Sequence, residues 1–169
     1  MRSAALIVAA VAALSGCGAT VADRPLDSIN VSSPRLRDGN PLPKKYACHG
    51  VGNPPLRWSN VPSTAKSLAL VVDTNSPESS GVQWVVFNID PLTTELIESG
   101  VPQGALQGRV TSGKVGYEGP CQTDDSYRFS VYALDSELDL PEGAPLSQTL
   151  KNIAHDTIAR GRLTTKHIE

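Results

Sequence analysis

Three apolar runs constrain this chain more than any other feature. "LALVV" (Leu68 to Val72) is nearly continuous and ends at Asp73, "WVVFNI" (Trp84 to Ile89) is a second run, and "YRFSVYAL" (Tyr127 to Leu134) sets bulky residues at every second position. Short apolar runs of this kind, bounded by breakers, read as central strands. The breakers are "NSPESSG" (Asn75 to Gly81), Asp90-Pro91, and the long "GVPQGALQGRVTSGKVGYEGPCQTDD" from Gly100 to Asp125. A stretch that long without periodicity inside a compact domain is usually functional or disordered. Its apolar and aromatic content favours an ordered loop.

One helix is legible near the end. Ser147 is placed to cap it, Leu146, Leu150, Ile153, Ala154, Thr157 and Ile158 recur at three- and four-residue spacing, and Gly161 stands as a stop signal. His155, among apolar neighbours on this helix, reads as a partly buried histidine bonded to a backbone carbonyl. The last run, "RLTTKHI", fits an edge strand. Many strands with one late helix give a mainly β, antiparallel architecture.

Composition narrows the function classes. A chain of 169 residues with 40% hydrophobic residues suffices for one domain with a real core. With 15 Lys+Arg against 17 Asp+Glu and no block of like charge, nothing marks a nucleic-acid partner or an electrostatic hold on an anionic membrane. The 14 glycines and 13 prolines are spread between the apolar runs, which suits a loop-rich β domain.

The first residues read as a targeting segment. Arg2 supplies a positive end, and Ala4 to Leu14 form an apolar core. As a helix that core spans about 16 Å, against roughly 30 Å of bilayer hydrocarbon. It fits a signal peptide and not a stable span. Leu14-Ser15-Gly16-Cys17 resembles the lipobox of bacterial lipoproteins, in which the cysteine thiol becomes a diacylglycerol thioether. That resemblance implies a signal peptide over 1–16, a lipidated tether over 17–25 and a domain over 26–169. It places Cys17 in the membrane through its acyl chains, on the extracytoplasmic face of a bacterial cell membrane.

Motifs for catalysis are sparse. There is no Gly-x-Ser-x-Gly elbow, Walker loop or His-Glu-x-x-His. Cys48-His49 and Cys121 lack the paired spacings of a zinc site. A nucleophilic Cys121 would need His49, His155 or His167 in reach as its base. No metal, no cofactor and no enzymatic activity are expected. Trp58 and Trp84 read as core, and "TDDS" as a solvated turn.

The order of motifs adds a family. "CHGVGNPPLRWSNVPSTAKSLALVVDTNSPESSGVQWVVFNID" and "GRVTSGKVGYEGPCQTDDSYRFSVYALD" resemble, in order and spacing, the motif series of the phosphatidylethanolamine-binding protein family, particularly its bacterial branch. The resemblance runs from about Ile29 to Leu163. It implies a large antiparallel sheet packed on a smaller one, with helical structure near the C-terminus. It also implies an anion pocket at the ends of the central strands.

Carried onto this chain, the pocket comprises Asp73, Gln83, Gly119-Pro120 and Asp125, with Trp84, Tyr117 and Tyr127 beside them. Both family histidines are absent, replaced by Gln83 and Asp125. A phosphate dianion at ~4 Å from Asp125 would be repelled by a few kcal/mol at an effective dielectric near 20, so the cleft is expected to persist without its phosphate preference. A small polar or cationic molecule, or a lipid head group, is the expected ligand. Modulation of an envelope protein, such as inhibition of a protease, is the alternative role that the family suggests. The resemblance further implies a disulfide between Cys48 and Cys121, matching the paired cysteines of exported bacterial members.

Overall fold

The computed structural model describes residues 26, 29–77 and 79–169. The signal segment, Cys17 and the tether lie outside the described residues. Within them the three apolar runs are three eight-residue strands, β3 (Ser67–Thr74), β4 (Val82–Ile89) and β7 (Tyr127–Leu134). Shorter strands are β1 (Asn30–Ser32), β2 (Leu56–Ser59), β5 (Glu95–Leu96) and β6 (Leu106–Gln107). The helix α1 (Leu146–Asp156) and the strand β8 (Thr157–Thr165) complete the chain.

The strands form a five-stranded sheet, β6-β4-β3-β7-β8, and a three-stranded sheet, β1-β2-β5, antiparallel at every pair. The large sheet is buried on both faces, which explains why its central strands read as continuous apolar runs. Leu68, Leu70 and Val72 of β3, with Tyr127, Phe129 and Val131 of β7, pack toward Leu56, Trp58 and Leu96 of the small sheet. Their alternates Ala69 and Val71 pack with Leu134, Leu138 and Ile153 on the helix side. The period of two thus builds two cores from one sheet.

The C-terminal region differs from the pattern read in the sequence. Ser147 lies inside the first turn of α1, because the cap position is Pro145. The helix stops at Asp156 and β8 begins at once, so Thr157 and Ile158 extend a strand. Gly161 sits opposite Val131 in the middle of β8 and is not a helix stop. A Cβ there would lie 1.9 Å from the Ile29 carbonyl oxygen, so glycine serves a close backbone approach. Ile29 N donates to Arg160 O, and Gly39 N to Thr164 O, so the chain after Ile29 covers part of the outer edge of β8. His155 is exposed, with its ring Nδ1 against the Asp156 carboxylate; that contact raises its pKa.

Candidate functional site

Three segments meet at the end of β3 where the strand leaves the sheet. Thr74 N donates to Gly81 O at 2.8 Å and Asn75 N to Ser126 O at 2.7 Å, so the turns before β4 and β7 flank the tip of β3. On β4 the register slips: Val72 pairs with Trp84 but Asp73 pairs with Val82. Gln83 is therefore the extra residue of a β-bulge, a device that re-aims a side chain out of the regular ladder. Its carbonyl accepts from Glu118 N at 2.9 Å, which ties the bulge to the long loop. Its side-chain Nε2 donates to Thr74 Oγ1 at 3.0 Å, while Oε1 is buried with no hydrogen-bond partner among the described residues.

The loop is held by close packing. Cys48 N donates to Pro120 O at 2.9 Å, and a Cβ on Gly119 would lie 2.3 Å from Ala47 O. Tyr117 reaches over this contact to donate its hydroxyl to Tyr46 O at 2.6 Å. Burial pushes its phenol well above the ordinary range. The segment Glu118–Cys121 then separates two cavities. One, of about 310 Å³, is lined by Gly81, Gln83, Thr111, Gly119, Pro120 and Cys121 among others. The other, of about 410 Å³, lies against Ala47, Cys48, His49, Lys114 and Tyr117.

Of the residues expected at the site, Gln83, Gly119 and Pro120 do line the first cavity. Asp125 lies in the turn before β7, where Ser79 Oγ donates to its Oδ2. Trp84 and Tyr127 are each only 1% exposed. Trp84 donates from Nε1 to Gln107 Oε1 at 2.8 Å, so it supports the wall from the core side. Tyr127 donates its hydroxyl to Gln122 O, and burial, followed by the charge of Asp125, pushes its phenol up to about 12.

Asp73 requires a correction. It lies beyond Ala69 and Val71 on the helix face of the sheet, in a cleft with Val82, Tyr132, Leu150 and Ile153, and it forms a two-pronged ion pair with Arg128. The residue of β3 that meets the Gln83 side chain is Thr74, one position further on. A one-residue offset in a strand reverses the face of a side chain. The parity of the run was the available signal: Thr74 shares the side of Leu70 and Val72, and Asp73 does not.

The cysteines stand as thiols, with Cys121 exposed and Cys48 half-buried. They are neighbours, since hydrogen bonding to Cys48 is the foremost cause that raises the Cys121 pKa. A raised thiol pKa is the reverse of what activates a nucleophile. His49 borders the same cavity, but among the described residues no hydrogen bond joins it to either thiol. Glu118, held low by Ser112 and then Lys114, forms an ion pair with Lys114 at 3.0 Å.

Comparison with known proteins agrees with this geometry. The family model "Phosphatidylethanolamine-binding protein" matches residues 32–168. A UPF0098 protein of Methanothermobacter thermautotrophicus is 37% identical over 80% of this chain and 95% of its own length. A Mycobacterium tuberculosis protein described as "Putative lipoprotein LppC" is 33% identical over 92% of this chain and 90% of its own. Among solved structures, the phosphatidylethanolamine-binding protein homologue CT736 of Chlamydia trachomatis superposes with a TM-score of 0.76 at 34% identity, covering 85% of this chain and 99% of that one. The two antiparallel sheets and the late helix are thus those of a known fold, and the chain belongs to the phosphatidylethanolamine-binding protein family.

Proposed function

We propose that this protein is an exported lipoprotein, anchored through Cys17 on the extracytoplasmic face of the cell membrane, whose domain is a ligand-binding module and not an enzyme. The observation that carries the binding role is the cleft at the tip of β3, where the bulge at Gln83 leaves a buried acceptor without a partner among the described residues. Bulges that aim a polar side chain into a cavity recur beside binding sites. The anchor is supported by the order Leu-Ser-Gly-Cys after an apolar segment and by the description of the mycobacterial relative as a lipoprotein. No helix among the described residues is long and apolar enough to cross a membrane.

Two measurements test these statements separately. Replacing Cys17 by Ser should move the protein from the membrane fraction and abolish acyl labelling; retained membrane association would sink the anchor. Screening the purified chain against small polar molecules should reveal one that raises its melting temperature in a concentration-dependent way, as ligands of the native state must. The binding role fails if no compound does so and none moves the resonances of Gln83 or Thr74.

A second reading has its own observation. Leu92, Ile97 and Val101 are 86%, 64% and 41% exposed, and Ile97 and Val101 line a groove of about 610 Å³ beside Leu96. Exposed apolar side chains grouped this way suit a protein partner, as a modulator of an envelope protein would need. Co-purification of one envelope protein that survives substitution of Gln83 and Asp125 but not of Ile97 would favour this reading.

A further inference from the structure

We infer that the domain rests on its own membrane through the end opposite the cleft, with Leu92 set into the lipid interface, so that the cleft opens away from the bilayer. The inference rests on the lipid anchor proposed above and adds the orientation and contact surface of the anchored domain.

The strand directions decide which parts share that end. β4 starts at Val82 beside the cleft and finishes at Ile89, which pairs with Leu68 near the start of β3. The turn after Ile89 therefore carries Leu92 to the far end of the sheet. The segment that leads in from the anchor arrives at the same end. Leu26 O accepts from Arg160 N at 2.7 Å, Ile29 N donates to Arg160 O at 3.1 Å, and Gly39 N then donates to Thr164 O. The chain thus runs beside β8 toward the cleft, because Thr165 pairs with Tyr127 and Tyr127 with Thr74. Leu26 lies upstream, toward the end where Leu134 pairs with Thr157 and Ser67.

Leu92 is 86% exposed, and its turn is built to hold it there. Asp90 Oδ1 accepts from Leu92 N at 2.8 Å, and Asp90 O accepts from Thr93 N at 2.9 Å. Thr93 O accepts from the indole N–H of the buried Trp58 at 2.7 Å, which ties the turn to the core. The fold gives this leucine no burial, and a lipid interface supplies it. Val101 lines one groove with Asp90 and Thr93, so the apolar surface continues beside the turn.

The length of chain before Leu26 supports the lipid surface as the occupant. Residues 17–25 span at most about 32 Å when fully extended. With the Leu92 end down, none of that reach is spent on the domain itself. With the cleft end down, the tether would first run back from the level of Arg160 to that of Thr165, about 17 Å along the strand and more than half its limit. So short a tether holds Leu92 against the bilayer at an effective concentration on the order of millimolar, and a contact too weak to bind a membrane unaided suffices. The exposed carboxylates of this end, Asp135 and Glu137, sit on the helix side, where Asp135 N donates to Asp156 O. Ile29 and Trp58 share the core that faces the small sheet, so the domain tilts onto that side and lifts the carboxylates. The cleft then opens about 24 Å farther from the lipid, the length of an eight-residue strand. What enters it comes from the surrounding compartment and not from the leaflet beneath.

The test uses the acylated mature protein recovered from membranes and placed in nanodiscs of phosphatidylcholine that carry a nitroxide on the lipid head group, with backbone amides followed by NMR. The amides of Leu92 and Thr93 should lose most of their intensity, and those of Thr74, Gln83 and Gly119 should keep theirs. Leu92→Asp should restore the Thr93 signal while the protein stays on the disc, because the acyl chains still hold it. Loss at Gln83 and Gly119 with Leu92 intact would turn the domain over and sink the inference. Equal losses at both ends would show an anchored domain with no preferred orientation, which sinks it too. Both results leave the anchor standing, since the protein is on the disc. Protein that carries no acyl group and stays off the discs would remove anchor and orientation together. A Leu92 signal lost only on addition of a co-purifying envelope protein would assign this surface to that protein instead of the lipid.

Discussion

The rings of Trp84 and Tyr117 meet edge to face, with centroids 5.5 Å apart and planes at 84°. The contact joins a core strand to the loop that walls the cleft, and both ends of it are anchored. The indole N–H of Trp84 is bonded to Gln107 Oε1, and the hydroxyl of Tyr117 to Tyr46 O. Edge-to-face pairs of this kind contribute about 0.5–1.5 kcal/mol beyond their buried area. The loop position is therefore set from inside the core, and the cleft inherits the rigidity of the sheet.

Removing that anchor should act in two steps. Tyr117→Phe keeps the ring contact but leaves the Tyr46 carbonyl without its donor, a loss of about 1–2 kcal/mol in urea denaturation. Tyr117→Ala removes the ring too and should lose about 3–5 kcal/mol. If the phenylalanine variant were as stable as the parent, the hydroxyl bond to Tyr46 would contribute nothing to the loop.

Asp73 and Arg128 make a second relationship, on the helix face. Arg128 Nε donates to Asp73 Oδ1 at 3.1 Å while its Nη2 reaches Oδ2, and both side chains are less than one-third exposed. A double-mutant cycle over Asp73→Asn and Arg128→Met should return a coupling of about 1 kcal/mol, at the upper end for pairs with some solvent contact. Ligand-induced shifts at Gln83 should not change in either variant. A change there would place Asp73 back in the cleft.

These residues show what a sequence can and cannot tell. The central strands were legible because a sheet covered on both faces writes an unbroken apolar run, as Leu68 to Val72 does. The face of Asp73 was not legible from motif matching, because "DTNSP" fits the family's acidic motif loosely and one residue of offset exchanges Asp73 for Thr74. The bulge at Gln83 depends on how β3 and β4 pair across the turn over 75–81, a register that composition does not carry. Gly161 looked like a helix stop since the approach of Ile29 comes from the far end of the domain.

Tyr127 gives the domain a pH dependence on the alkaline side. Its phenol is pushed up to about 12 in the folded protein, against an ordinary tyrosine value of 10.0. Between these values the native state retains a proton that the unfolded state releases, so stability is intact below about pH 10 and falls as pH rises toward about 12. Denaturation midpoints measured from pH 8 to 12 should fall more steeply for the parent than for Tyr127→Phe. Parallel curves would show that Tyr127 does not drive the loss.

The cysteines close the site, and their pairing is the last expectation. Cys48 and Cys121 are neighbours across the contact between Ala47 and Gly119, in loops already joined by the bond from Cys48 N to Pro120 O. In an exported protein, such a pair meets an oxidising compartment. Oxidised protein should therefore lose two thiols in a titration and gain about 4 kcal/mol over the reduced form, the chain-entropy value for a loop of about 73 residues. Cys48→Ser and Cys121→Ser should each abolish that gain while leaving the reduced stability near the parent's, since neither thiol carries the backbone bond that joins the loops. If oxidised protein retained both thiols, or joined two chains through Cys121, the exposed cysteine would be an intermolecular handle, and the wall of the cleft would rest on Gly119, Pro120 and Tyr117 alone.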